Sequence, residues 1–228
     1  MAKFCTKCGA KLVDGKCPNC NNEQTNTITK TFDMDELITS IKGMFTHPID
    51  TMKETIQTEN ITLGIILLVM NCIIIALFCC LGAKELIGAF TTGFNSFMVR
   101  TIEIPYARIF FTSLLSGLIT YAIIAGLFYL VVNKLFHTDT NYKKMIAYLG
   151  ITSIISSITL LGTIVLMYVS MQLMILFLLT GMLLSTVYMV QGLSYTSNID
   201  KNKLGYVYAI VYFIVLVITI FILPVIFK

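Results

Sequence analysis

The chain has 228 residues, of which 57% are hydrophobic and only 12% charged, with a formal net charge of +4 and a mean hydropathy of +0.84. A water-soluble domain of this length cannot hide so much apolar surface, because the buried fraction of a folded chain grows too slowly with size. An ordinary soluble enzyme is therefore excluded, an integral membrane protein is expected, and the charge is too small and too scattered for nucleic acid to be the main partner.

The charge is also unevenly placed. The stretch up to Asn60 holds more than half of the charged side chains, seven lysines and eight acids, and the much longer remainder carries the rest. The opening Met-Ala-Lys-Phe-Cys-Thr-Lys-Cys-Gly has no apolar h-region, so no cleavable signal peptide is expected. Three parts follow: residues 1–22 as a zinc ribbon, 23–60 as a polar tether with amphipathic helices, and 61–228 as a five-span helical membrane domain.

Cys5 and Cys8 are separated by two residues, as are Cys17 and Cys20, with eight residues between the pairs. Two such pairs on tight turns place four sulfurs at the corners of a tetrahedron, the geometry Zn²⁺ accepts without penalty. Gly9 follows the first pair, where the knuckle turn calls for a positive φ, Pro18 stiffens the second, and Asp14-Gly15 signals a small hairpin between them. Disulfides are disfavoured by the doubled spacing and by a cytoplasmic placement, whereas sulfur ligation alone also admits iron. A module of this size has almost no core, so metal binding supplies its folding energy, about 10 to 16 kcal/mol for zinc. With all four ligands from protein the site is closed and structural. The segments Phe4-Cys5-Thr6-Lys7-Cys8-Gly9 and Cys17-Pro18-Asn19-Cys20 resemble the zinc-ribbon modules at the start of many bacterial membrane and regulatory proteins. That resemblance implies a small folded contact surface, and it extends over the ribbon alone. Lys3, Lys7, Lys11 and Lys16 against Asp14 give +3, and four thiolates on one Zn²⁺ give −2. The module is then nearly neutral, which favours a protein partner over nucleic acid.

Residues 21 to 31 are polar and low in complexity, the composition of a flexible tether. Asp33 and Glu36 then form a capping-box-like start, and Met34, Leu37, Ile38, Ile41, Met44 and Phe45 recur at helical spacing. This helix ends before Pro48, and a second short one is expected from Pro48 to about Gln57 with Ile49, Met52 and Ile56 inward. The apolar stripe suits either packing on the ends of the spans, the favoured reading, or an interfacial helix lying on lipid. Acids that offset the lysines argue against a lipid-binding face.

Five uncharged apolar stretches follow, at about residues 61–82, 109–132, 145–167, 171–194 and 205–227. Each is long enough to span, since about 30 Å of hydrocarbon at 1.5 Å per residue needs about 20 residues. No charge interrupts the run from Met145 to Ile199, which is far too long for one helix and must fold back as a helical hairpin, with its turn near Tyr168 to Gln172. Between the first two spans, Ile87, Phe90, Phe94, Phe97 and Met98 suggest an interfacial helix broken by Gly93 and ended near Pro105, with a re-entrant segment as the alternative. Lys42, Lys53, Lys134, Lys143, Lys144, Lys201 and Lys203 fall on one side of this topology, against Lys84, Arg100, Arg108 and Lys228 on the other. The expected orientation is N-terminus cytoplasmic and C-terminus external. Lysine outnumbers arginine 14 to 2 and Ile and Asn are common, consistent with an AT-rich genome and a bacterial plasma membrane.

The five stretches hold no Asp, Glu, Lys, Arg or His. Such groups mark proton relays, ion paths and intramembrane catalysis, so pumps, coupled transporters and intramembrane proteases are disfavoured and no catalytic residues are assigned. His47 and His137 lie outside the spans and read as solvated loop residues. What remains is small and hydroxyl-bearing. Ser113/Gly117 and Ala122/Gly126 make small-xxx-small pairs, and the third span has Ser153, Ser156, Ser157, Thr159 and Thr163. These suit packing within one bundle, with a homo-oligomeric seam as the less favoured use. Asn71 in the middle of the first span needs a partner and is the one polar group there with a candidate function, while Gln191 reaches toward the interface. Cys72, Cys79 and Cys80 read as small apolar packing residues.

The segment Phe45-Thr46-His47-Pro48-Ile49-Asp50-Thr51-Met52 followed by five spans resembles the bacterial relatives of the YIP family, over residues 40 to 228. Eukaryotic members of that family are five-span membrane proteins linked to vesicle trafficking and small GTPases. The eukaryotic Asp-Leu-Tyr-Gly-Pro motif is absent here, so GTPase partners are not carried over. The expectation is an all-α polytopic membrane protein with a small N-terminal zinc ribbon, acting as a non-enzymatic scaffold or adaptor whose ribbon recruits a cytoplasmic protein. A transporter or permeability factor for an uncharged or lipidic solute, lined by the Ser/Thr face of span three, is the first alternative. A zinc or redox sensor is the second.

Overall fold

The computed structural model describes residues 34–92, 104–197 and 199–226, with side chains described for 34–83, 104–197 and 199–220. The ribbon cysteines Cys5, Cys8, Cys17 and Cys20, the tether, Asp33, and Phe94, Phe97 and Met98 all lie outside the described residues. Seven α-helices stand among the described ones: α1 (Met34–Thr46), α2 (Pro48–Gln57), α3 (Ile61–Thr92), α4 (Tyr106–Leu130), α5 (Tyr142–Met167), α6 (Met171–Thr196) and α7 (Leu204–Ile226). Among the described residues five segments are long and apolar enough to cross a membrane: Ile61–Ala83, Tyr106–Leu135, Tyr142–Met167, Met171–Thr196 and Lys201–Ile220. The described residues are helical throughout apart from short connections, and the uncharged run folds back through Tyr168, Val169 and Ser170 between α5 and α6.

The bundle is built around α5. Helix α3 lies parallel to it at close range: a Cβ placed on Gly64 would stand 2.8 Å from the Ile146 carbonyl oxygen, and Gly150 faces Gly64 directly. Glycine is required on both sides of this approach, because lipid tails supply no hydrophobic drive between helices and close backbone packing replaces it. Helix α4 runs antiparallel to α3, with Gly117 against Cys72 and Tyr121 opposite Asn71. The α5–α6 hairpin is tied by the Tyr148 hydroxyl, which donates to the Met189 carbonyl at 2.9 Å. Helix α7 closes the group through Val207 and Val211, both fully buried, and through Tyr208 and Tyr212 beside Phe128. In this up-and-down order the starts of α3, α5 and α7 gather at one end with the finishes of α4 and α6. Helix α2 packs on α5 and α6, and the seven lysines from Lys42 to Lys203 named above fall at this same end.

That end is organised by side chains that the apolar pattern does not reveal. Asn60 caps α3, its Oδ1 accepting from the Leu63 amide at 3.1 Å, while its Nδ2 donates to Glu36 of α1 at 2.7 Å. Asn141 caps α5 in the same way through the Lys143 amide at 3.2 Å and donates to Glu59 at 3.0 Å. Glu59 takes a left-handed φ of 50° at the turn into α3 and also pairs with Lys144 at 3.7 Å. Two of the capping side chains thus join neighbouring helix ends as well as satisfying orphan amides.

Two expectations are corrected. The connection after span one begins as an unbroken continuation of α3 to Thr92, not as a separate interfacial helix. No proline interrupts Ile61 to Thr92, and a helix that has left the hydrocarbon tolerates Lys84 and Glu85. The stripe of α1 and α2 is also only partly inward, with Met52 and Ile56 of α2 buried as expected. Leu37 and Met44 are buried and Ile41 packs on the core, whereas Met34, Ile38 and Phe45 are exposed, as is Ile49 of α2.

Candidate functional site

Polar groups inside a span must find partners within the protein, since the bilayer core has no water to offer. Asn71 of α3, with no exposed surface, is the hub of such a network. Its Nδ2 donates to the Ser157 hydroxyl at 2.7 Å and the Ser153 carbonyl at 3.2 Å, and its Oδ1 accepts from the Tyr121 hydroxyl at 2.7 Å. Three helices are joined at mid-span by one amide. Ser153 adds a bond to the Leu67 carbonyl at 3.4 Å. Asn71 is therefore a packing centre, with both amide hydrogens donated and its oxygen paired inside the bundle.

Beside this network lies a half-open cleft of about 510 Å³. Its floor comes from α3 and α5, its walls from α4 and α6, and Tyr208 and Tyr212 of α7 close one end. Ser113, Ser116 and Thr120 of α4, Ser156 of α5 and Ser185 of α6 line it, among Ile75, Leu160, Leu178 and Met182. Thr159 and Thr186 line it too, but like other threonines of the spans they are bonded to their own helix, whereas these five are not. Thr152, Thr159, Thr163, Thr180, Thr186 and Thr219 each donate back to a carbonyl four residues earlier, at 2.7 to 2.9 Å. Ser113, Ser116, Thr120, Ser156 and Ser185 make no hydrogen bond to another described residue, so their hydrogen-bonding capacity is directed into the cleft. No Asp, Glu, Lys, Arg or His lines it. The arrangement can hold an uncharged molecule that is mostly apolar and carries a few donors or acceptors.

The sequence-expected residues scatter over these features. Asn71 meets Ser153 and Ser157, as a mid-span amide requires, and Ser156 points into the cleft. Thr163 does not line it and bonds to the Thr159 carbonyl at 2.7 Å. Gln191 donates to the Tyr195 hydroxyl at 3.0 Å on the exposed side of α6. Cys72 is buried, Cys79 lines the cleft, and Cys80 donates to the Tyr106 carbonyl at 3.4 Å. The small-residue pairs also separate. Gly117 packs on Cys72, whereas nothing stands within 4 Å of a Cβ placed at Gly126. Among the described residues no group of three or more His, Cys, Asp or Glu comes together.

Sequence reasoning marks Ser113 only as a packing partner of Gly117 and gives no notice of Ser116, Thr120, Ser185 or the tyrosines. A signal for the α4 hydroxyls is present, because Ser113, Ser116 and Thr120 sit at i, i+3 and i+7, one helical face. Tyr121, Tyr148, Tyr208 and Tyr212 gave no such signal, since tyrosine is frequent in spans without serving any one site.

Neither the curated proteins nor the solved structures supply a match to this chain. The profile described as the Yip1 domain matches residues 42–223, which runs from the middle of α1 through all five spans. A match over most of the chain, on a five-span helical bundle, makes this a multi-pass membrane protein that belongs to the Yip1 domain family.

Proposed function

We propose that this protein is a non-enzymatic membrane scaffold. In this reading the five-helix bundle is an anchor, and a cytoplasmic zinc ribbon held by Cys5, Cys8, Cys17 and Cys20 recruits a protein partner at the surface of a bacterial plasma membrane. The observation that carries it is the fate of polarity inside the spans: the Asn71 amide is consumed by Tyr121, Ser153 and Ser157, and charge is confined to the span ends. A bundle built this way offers no charged relay for ion movement or proton transfer. The seven lysines gathered at the α1–α2 end support a cytoplasmic N-terminus, where thiolates stay reduced. Capture of partners from detergent extracts by the full chain and by a Cys5→Ser, Cys8→Ser variant tests the proposal. Loss of a specific partner together with zinc is expected, and an identical partner set would reject the adaptor role.

A second reading, passage of an uncharged or lipidic solute, is favoured by the hydroxyl-lined cleft around Ser156. Vesicles containing the protein would then release an uncharged solute faster than empty vesicles, and equal rates would remove this reading.

A further inference from the structure

We infer that the cleft between α4 and α6 is a binding site for an uncharged glycerolipid of the diacylglycerol type, taken up sideways from the bilayer. The depth of the hydroxyls is the first argument. Thr120, Ser156 and Ser185 are each the fifteenth residue of spans that begin at Tyr106, Tyr142 and Met171 and run for 30, 26 and 26 residues. Fourteen steps of 1.5 Å put all three about 21 Å from the span start, near the bilayer midplane. There the alternative to a partner is hydrocarbon, yet these three groups, with Ser113 and Ser116, make no bond to another described residue.

The second argument is charge. A phospholipid headgroup cannot reach the midplane without carrying its charge into hydrocarbon, and the cleft has no cation or anion to meet it. A glycerol bearing two esters and one free hydroxyl is uncharged and can descend to this depth. Its ester carbonyls accept from serine and threonine hydroxyls, and its own hydroxyl donates to them. The third argument is access. Ser116, Thr120 and Met182 are exposed at the mouth of the cleft, at a depth where the surroundings are lipid. The apolar wall residues suit the chains, and the volume of about 510 Å³ falls within the range of single-ligand sites.

The inference rests on the cleft of the second reading but not on transport. Its test uses the full chain in phosphatidylcholine vesicles with a trace of photoactivatable diacylglycerol or, in parallel, of phosphatidylcholine carrying the same photoactivatable chain. Diacylglycerol crosslinks are expected to concentrate on peptides containing Thr120, Ser156 and Ser185, and the phosphatidylcholine probe to mark the outward faces evenly, including Leu183. Ser156→Ala with Ser185→Ala, which removes hydroxyls without adding bulk, is expected to lower cleft labelling about threefold per lost bond. Ser156→Leu, which fills the space, should abolish it while labelling at Leu183 persists. Equal labelling of the cleft by both probes, even labelling around the bundle, or alanine variants that label like the parent would each overturn the assignment. Cleft labelling without solute release leaves the site standing and removes transport alone.

Discussion

Asn71 shows how much one residue decides at mid-span. Its presence in an apolar run signals a need for a partner, and that need is legible in sequence because an unpaired amide in hydrocarbon is costly. The identity of the partners is not legible, since Tyr121 and Ser157 lie 50 and 86 residues away and only helix rotation brings them to it. Asn71→Ala leaves the Tyr121 and Ser157 hydroxyls without a partner in the bundle and opens a small void. A loss of about 1 to 2 kcal/mol is expected by unfolding in mixed detergent. Combined with Tyr121→Phe, the cycle should return a coupling of about 0.6 to 1.7 kcal/mol. Strict additivity of the two changes would show that the bond between the Tyr121 hydroxyl and the Asn71 amide contributes nothing. Tyr121 also lines the cleft, but the cycle leaves Ser113, Ser116, Thr120, Ser156 and Ser185 in place, so the coupling it returns reports the Asn71 bond and not binding at Ser156.

At the scale of the element, apolar length and helical spacing place the helices, because both follow from burial and from the thickness of hydrocarbon. Met34–Thr46 and Pro48–Gln57 sit where the stripe and Pro48 put them, and the α5–α6 turn occupies Tyr168 to Ser170. The lateral order of the helices is not in that pattern: every span is apolar all round, so periodicity does not say which face meets which neighbour. The faces are set by small residues and hydroxyls, such as Gly64 against Ala147 and Gly150. Helix ends could have been read more closely, since Asn60 and Asn141 each stand directly before a helix, the position where a side-chain oxygen satisfies an orphan amide. Asn60 does more than cap, because its amide nitrogen also holds Glu36 of α1. Asn60→Ala is expected to cost about 1 to 2 kcal/mol and to speed amide exchange in α1 and the first turn of α3 together. Asn60→Asp keeps the cap but sets a carboxylate against Glu36, so exchange should rise in α1 alone. Matching exchange profiles for the two variants would mean that the Glu36 contact does not hold α1 in place.

The described bundle is polarised, and its direction in the membrane decides whether the proposed ribbon meets a reducing or an oxidising space. Lys42, Lys53, Lys134, Lys143, Lys144, Lys201 and Lys203 share the end where α2 rests on α5 and α6, and basic residues near span ends are retained on the cytoplasmic side. The turn from Tyr168 to Ser170 stands at the opposite end, carries no charge, and exposes both Tyr168 and Val169. In the proposed topology the five spans found among the described residues put the start of α1 on the lysine-rich side, and the proposed ribbon precedes it in sequence. Single cysteines added at Asp139, between α4 and α5, and at Tyr168 report the direction when intact cells meet a membrane-impermeant thiol reagent and are compared with the parent chain. Tyr168→Cys is expected to label in intact cells and Asp139→Cys only after permeabilisation. The reverse result would place Cys5, Cys8, Cys17 and Cys20 in an oxidising space, where disulfides compete with thiolate ligation of zinc. The scaffold reading would then fail at its ribbon, whereas the lipid site, built wholly inside the spans, would stand unchanged.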